Sequence, residues 1–188
     1  MHIVVAAGLT WAECRRRLKN MKTADNIVYQ TGLGSLGPVL VAITDKGICA
    51  VLLSAAESTL VADLLRRFPD AKPANNSHLS QTLQQVIGFI ETPNQPMNLA
   101  LDMRGSEFQQ QVWQALLTIP AGEKRSYSEL AEQLGKPRAY RAVANACARN
   151  PIAVLVPCHR VVHKSGNAAG YYWGVETKQA LQNREVNR

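Results

Sequence analysis

The sequence predicts an α/β N-terminal layer, a small three-stranded sheet with helices, followed by a mostly α-helical C-terminal domain. Three observations predict it. Two apolar runs, "PVLVAIT" (38–44) and "ICAVLLS" (48–54), flank a short Gly-containing turn and read as a β-hairpin. Helix-period segments follow at 57–68 and 80–92. Beyond Pro- and Gly-bearing connections around residue 104, the patterning is helical almost to the end. At 188 residues and 46% hydrophobic content, the chain can bury a core without staples.

Taken in order, residues 1–30 carry a basic stretch, "CRRRLKNMK", with no clear strand, and are expected to be a poorly packed leader. Residues 31–104 form the supporting α/β domain. Its hairpin is apolar on both faces, so both faces should be covered, and Cys49 should be a core thiol. "MNLALDM" (97–103) is the candidate third strand. Residues 105–188 form the C-terminal domain, opened by a helix in "SEFQQQVWQALLTI" (106–119) that Pro120 and Gly122 close.

The apolar run "IVVAAGL" is too short to span a bilayer and lacks a basic flank, so neither a membrane span nor export is expected, and the location is cytoplasmic. Cys14, Cys49, Cys147 and Cys158 are widely spaced and should be free thiols. The four histidines show no ligand spacing with them, so no metal or other cofactor is implied. Twenty-one basic against fourteen acidic residues, a net +7, favour a polyanionic partner or describe an ordinary basic surface.

The stretch "SYSELAEQLGKPRAYRAVANACARN" (126–150) narrows that choice. Ser126 and Glu129 make a capping box, and Gly135 is a fitting stop for a short helix. Pro137 can open a second helix, because its missing N–H falls among the unpaired donors of a first turn. On that helix Ala139, Ala142, Val143, Ala146 and Cys147 make one small apolar stripe, while Arg138, Arg141, Asn145 and Arg149 gather on a neighbouring face. Two such helices resemble a helix-turn-helix. A solvated basic face is the alternative.

"VLVPCHRVV" (154–162) sets Cys158 beside His159 inside an apolar run. Pro157 holds Val156 extended, and in an extended segment the two side chains would point apart, so a thiol–imidazole relay needs a tight turn or a bridging water. A base that takes the thiol proton makes the thiolate nucleophile, and Glu185 in the last helix is available to orient that base. The other reading is a buried structural cysteine with a capping histidine.

"PCHRVV", preceded by "RAVANACARNP" and "FQQQVWQALLTIPAGEKRSYSELA", resembles the O6-alkylguanine-DNA alkyltransferases, and in particular the C-terminal repair domain of bacterial Ada-type proteins. The similarity runs through 106–185 and, more faintly, 36–104. It implies a ribonuclease H-like N-terminal layer and single-turnover transfer of an alkyl group from O6-methylguanine, possibly also O4-methylthymine, to Cys158. It further implies His159 as base through a water, Glu185 completing the relay, and Asn150 bracing the turn. Arg141 would fill the gap left by the flipped base, and Tyr127 would rotate the target phosphate and aid protonation. Ala139 and Ala142 would give close minor-groove contact, joined at the DNA by Arg138, Tyr140 and Asn145. Tyr171, the backbones of Val161 and Tyr172, and the Cys158 carbonyl would line the base pocket. The resemblance also implies a partner, double-stranded DNA containing O6-alkylguanine, and a protein expected to be monomeric without DNA and nucleoid-associated in a bacterial cytoplasm.

Tyr140 and Tyr172 depart from the family pattern, and with Trp173 they lead to an expected preference for methyl over benzyl adducts. The N-terminal zinc module of Ada-type proteins does not fit the leader, so phosphotriester repair and transcriptional activation are expected to be absent. Two rivals are a non-catalytic alkyltransferase-like lesion binder, against which Cys158 argues, and a cysteine hydrolase, which leaves the basic helix without a role.

Overall fold

Residues 26–93, 98–164 and 170–186 are described by the structure, a computed structural model; the leader up to residue 25, with its apolar run and Cys14, lies outside them. The hairpin is β2 (Gly37–Thr44) and β3 (Gly47–Leu53), antiparallel and almost wholly buried, as two apolar faces require. Gly47 turns it at φ +137°, and a Cβ there would lie 2.3 Å from the Ala100 carbonyl oxygen.

The third strand is not 97–103 but β1 (Val28–Gly34), which pairs antiparallel with β2 along its whole length. Its sequence, "VYQTGLG", carries two glycines and polar residues and shows no strand pattern. Pairing with β2 supplies what local propensity lacks. The expected leader therefore runs into the sheet at its last residues. A two-residue edge, β4 (Lys72–Pro73), joins β1 in parallel, giving four strands in the order β3-β2-β1-β4.

Of the expected strand, residues 98–103 make only an isolated bridge between Leu101 and Ile48. The reason is competition for the free edge of β3. Ile48 donates to Ala100 O and accepts from Asp102 N, but Val51 is already engaged with Pro151 O and Ala153 N. The sheet edge thus holds the segment that leads to Cys158.

Helices α1 (Glu57–Arg67) and α2 (Ser77–Glu91) pack on the sheet, α2 capped by the Asn76 side chain. α3 (Glu107–Leu117) begins with a capping box of Ser106 and Gln109. After β5 (Arg125–Ser126), the Ser126–Glu129 capping box opens α4 (Tyr127–Gln133), and Gly135 follows at φ +68°. The next helix does not open at Pro137 as an α-helix: Pro137–Ala139 is a 3₁₀ turn, and α5 runs Tyr140–Ala148. Only Val143, Ala146 and Cys147 of the expected stripe are buried on α5, and Ala142 faces solvent. The indole of Trp113 on α3 donates to Ala146 O, fixing α5.

A 3₁₀ turn at Cys158–Arg160 leads into β6 (Val161–Val162), parallel to β5, and α6 (Val175–Val186) closes the described chain. One apolar core runs from the sheet to Leu181 of α6. No helix among the described residues is long and apolar enough to cross a membrane.

Candidate active site

The chain from Asn150 to Val162 is buried throughout. Residues 152–156 fold as a tight buried turn, with Val154 at φ +66°. That conformation is strained for a β-branched residue and persists only where surrounding contacts over-determine it. Asn150 supplies those contacts. Its Oδ1 accepts from Ile152 N at 2.9 Å, and its Nδ2 faces Ile152 O at 3.3 Å, Val156 O at 2.8 Å and Cys158 Sγ at 3.2 Å.

Cys158 is 4% exposed, and burial pushes its thiol up to about 11, against partial relief from Asn150 and the Lys178 cation. The adjacent pair does not make a resting thiolate. At neutral pH the sulfur is protonated, and ionisation has to accompany reaction.

His159 is fully buried, and its Nε2 donates to Glu185 Oε1 at 2.7 Å. That assigns the neutral tautomer with the proton on Nε2. Nδ1, buried and without a hydrogen-bond partner among the described residues, keeps its lone pair for a proton. Burial holds the imidazole below its usual value, so it rests neutral. Burial alone would raise the Glu185 carboxyl, but hydrogen bonds from His159 and Arg160, and from Gly122 N, bring it down to about 2. The 3₁₀ turn thus directs His159 and Arg160 together onto one carboxylate, leaving the sulfur to Asn150.

Three further residues escaped the sequence reading. Arg160 holds Glu185 and also donates to Ile119 O. Lys178, 1% exposed, donates to Val161 O at 2.6 Å and is a cationic neighbour of Cys158. Gln182 donates to His159 O at 2.6 Å. Lys178, Leu181, Gln182 and Glu185 are the buried residues of α6, and their i, i+3, i+4, i+7 spacing was the available signal. A search for apolar periodicity passes over a stripe that is three-quarters polar.

The β5–β6 pairing brings Tyr127 beside the turn, half-buried, its ring 5.3 Å from that of His163. Burial, with Cys147 and Cys158 nearby, raises its phenol to about 12, so it stays protonated. Tyr171 is likewise raised by burial and by its closeness to Cys158, and its hydroxyl is buried without a well-formed hydrogen bond. It packs edge-on to Trp173. Of the Val161 backbone expected in the pocket, the carbonyl is already bonded to Lys178.

Tyr172 does not crowd that site with its side chain. Its hydroxyl donates to Asp63 Oδ1 and accepts from Arg66, each at 2.9 Å, and Arg67 lies over its ring. Around α5, Arg138, Tyr140, Arg141, Ala142 and Asn145 are exposed, Ala139 partly so, and the Arg141 guanidinium sits 5.6 Å from the Tyr140 ring. The described cysteines are all buried: Cys147 and Cys158 are free thiols, and Cys49 lies in the core with its Sγ 3.5 Å from Ala42 O.

The family described as "6-O-methylguanine DNA methyltransferase, DNA binding domain" matches residues 107–187. A methylated-DNA–protein-cysteine methyltransferase of Mycobacterium bovis is 40% identical over 162 residues, 86% of this chain and 94% of its own length. The chain belongs to the methylated-DNA–protein-cysteine methyltransferase family. Within it, the bifunctional transcriptional activator/DNA repair enzyme Ada of Escherichia coli is 49% identical over 180 residues, covering 95% of this chain. The chain spans about half the length of the two Ada-type relatives, 50% of the Escherichia coli protein and 48% of that of Salmonella typhimurium. The methyltransferase fold agrees with it too: the crystal structure of Mycobacterium tuberculosis OGT in complex with DNA superposes with a TM-score of 0.71 at 36% identity, covering 84% of this chain and 92% of that one. The small sheet with helices is that fold.

Proposed function

We propose that this protein repairs O6-alkylguanine, O6-methylguanine foremost, in double-stranded DNA by moving the alkyl group onto Cys158, once per molecule. The observation that carries the reading is a buried thiol braced by Asn150 next to a histidine whose one free nitrogen is backed by a buried carboxylate. Family membership and relatives named for cysteine methyl transfer support it. O4-methylthymine is a candidate second substrate.

The step balances as follows. Cys158 Sγ attacks the alkyl carbon as its proton passes through a water to His159 Nδ1; the S–C bond forms while the C–O6 bond breaks. The departing guanine takes a proton from Tyr127, which is reprotonated from solvent as His159 gives up the thiol proton; Glu185, itself held in place by Arg160, stabilises the imidazolium against the opposing Arg160 charge. Since the thiol is neutral at rest, entry of the base and loss of the proton are coupled. A hydrophobic site makes the emerging thiolate a stronger nucleophile.

In this reading α4 and α5 act as a helix-turn-helix in the minor groove, and the N-terminal layer is ribonuclease H-like. Arg141 fills the stack after the base flips, at an unstacking cost of a few kcal/mol. The exposed Ala142 and half-buried Ala139 permit close approach, with Arg138, Tyr140 and Asn145 beside them. Tyr171 and the backbones of Val161, Tyr172 and Cys158 line the base pocket. Residues 31–104 support the reactive domain 105–188, and the protein works as a monomer in the bacterial cytoplasm, on the nucleoid. The Val51–Ile152 bridge is what ties support to chemistry.

An oligonucleotide with a labelled O6-methylguanine tests this. Label should move to the protein with stoichiometry up to one, and none should move to Cys158→Ala. Turnover beyond one equivalent, or binding without transfer, would overturn the proposal.

A further inference from the structure

A cavity of about 460 Å³ lies along the seam between the N-terminal layer and the helices. Arg66 and Arg67 enter it from the end of α1, Arg104 from the connection to α3, and Arg149 from the end of α5, with Gln109 and Tyr172 beside them. Two carboxylates among the described residues answer these four guanidinium groups: Asp63 pairs with Arg66 and Arg67, and Asp102 with Arg104. Arg66 and Arg67 also complement the C-terminal dipole of α1, which accounts for two of the four. It does not account for Arg104 and Arg149, on other elements, converging on the same space.

Arginine forks match phosphate oxygens in pairs, and an excess of them in one cleft selects a multivalent oxyanion. Position decides which. Arg149 follows Arg141 and Asn145 at i+8 and i+4, so the cleft opens on the basic side of α5, about 12 Å along its axis from Arg141. That is roughly three to four base steps at 3.4 Å per strand. With α5 lying along the strand, a backbone that meets Arg141 at the lesion reaches the cleft a few nucleotides away. Resting on the DNA-repair reading above, we infer that this arginine cleft is a second phosphodiester-binding subsite, and that through Arg66, Arg67 and Arg104 the N-terminal layer itself grips DNA flanking the lesion.

Binding to an undamaged duplex, followed across a series of salt concentrations, tests this separately from alkyl transfer. Failure to move label would sink the repair reading and leave the salt slope to be read on its own. For Arg66→Gln/Arg149→Gln the slope of log K against log salt should shrink by about 1–2, with several-fold weaker binding at low salt. Arg66→Lys/Arg149→Lys should recover most of the slope, because a point charge still meets phosphate. Arg66 is 68% exposed, so Arg66→Gln alone should fold normally and move the slope the same way by less. A slope unchanged in the double glutamine variant, or a loss that lysine does not recover, overturns the inference.

Discussion

The Asn150 amide reaches the Cys158 sulfur at 3.2 Å while the same side chain holds both ends of the turn in which Val154 is strained. One residue thus fixes the backbone and, in the proposed reaction, is the donor that meets the emerging thiolate. Asn150→Ala should cost roughly 3 kcal/mol or more, since several buried groups lose their partner at about 1–3 kcal/mol each. Asn150→Asp is closer to isosteric but puts an anion where a donor stood. It should slow the single-turnover reaction with free O6-benzylguanine more than tenfold, against a smaller change in urea midpoint. A rate close to that of the unsubstituted protein would deny Asn150 any part in ionising the sulfur.

Lys178 opposes the burial that keeps Cys158 protonated. In Lys178→Met the thiol should titrate still higher, seen as thiolate absorbance appearing at higher pH than in the unsubstituted protein, and alkyl transfer at neutral pH should slow. Lys178→Arg retains the charge and should lie between. Equal titration of all three would remove Lys178 from the electrostatics of the sulfur.

Two groups make the fold acid-sensitive, and the signs agree. His159 is held below its ordinary 6.5, so the unfolded chain binds its proton more readily and stability falls as pH drops through that value. Glu185 is held at about 2 against an ordinary 4.5, so its contribution is present above 4.5 and is lost as pH falls toward 2. Urea midpoints should decline in two stages over these windows. Glu185→Gln should abolish the lower stage and lower stability at pH 7 by about 3–5 kcal/mol, because Arg160 is left buried without its carboxylate.

Tyr172 points at α1, so its bulk should not set adduct preference. Tyr172→Phe removes the bonds to Asp63 and Arg66 while keeping the ring against Arg67, and should cost about 0.5–1 kcal/mol. The ratio of rates on O6-methylguanine and O6-benzylguanine should stay within twofold. A larger change would place the tyrosine in the pocket after all.

What the sequence alone determined was the local elements and the candidate site: the β2–β3 hairpin, the Ser126–Glu129 cap, the Gly135 stop, and Cys158, His159, Asn150 and Glu185 as residues to look for together. These are legible because turn residues, caps and apolar periodicity act over a few residues, and because "PCHRVV" carries its family with it. Tertiary structure decided the rest. β1 exists because β2 pairs with it, and 98–103 fails as a strand because Pro151 and Ala153 occupy the edge it would extend along. Lys178, Gln182 and Arg160 are buried only because each finds a partner far away in sequence. Whether Cys158 rests as thiol or thiolate belongs to this second kind: the neighbouring histidine turns to Glu185, and desolvation by the whole core, which no short stretch of sequence encodes, sets the proton on sulfur.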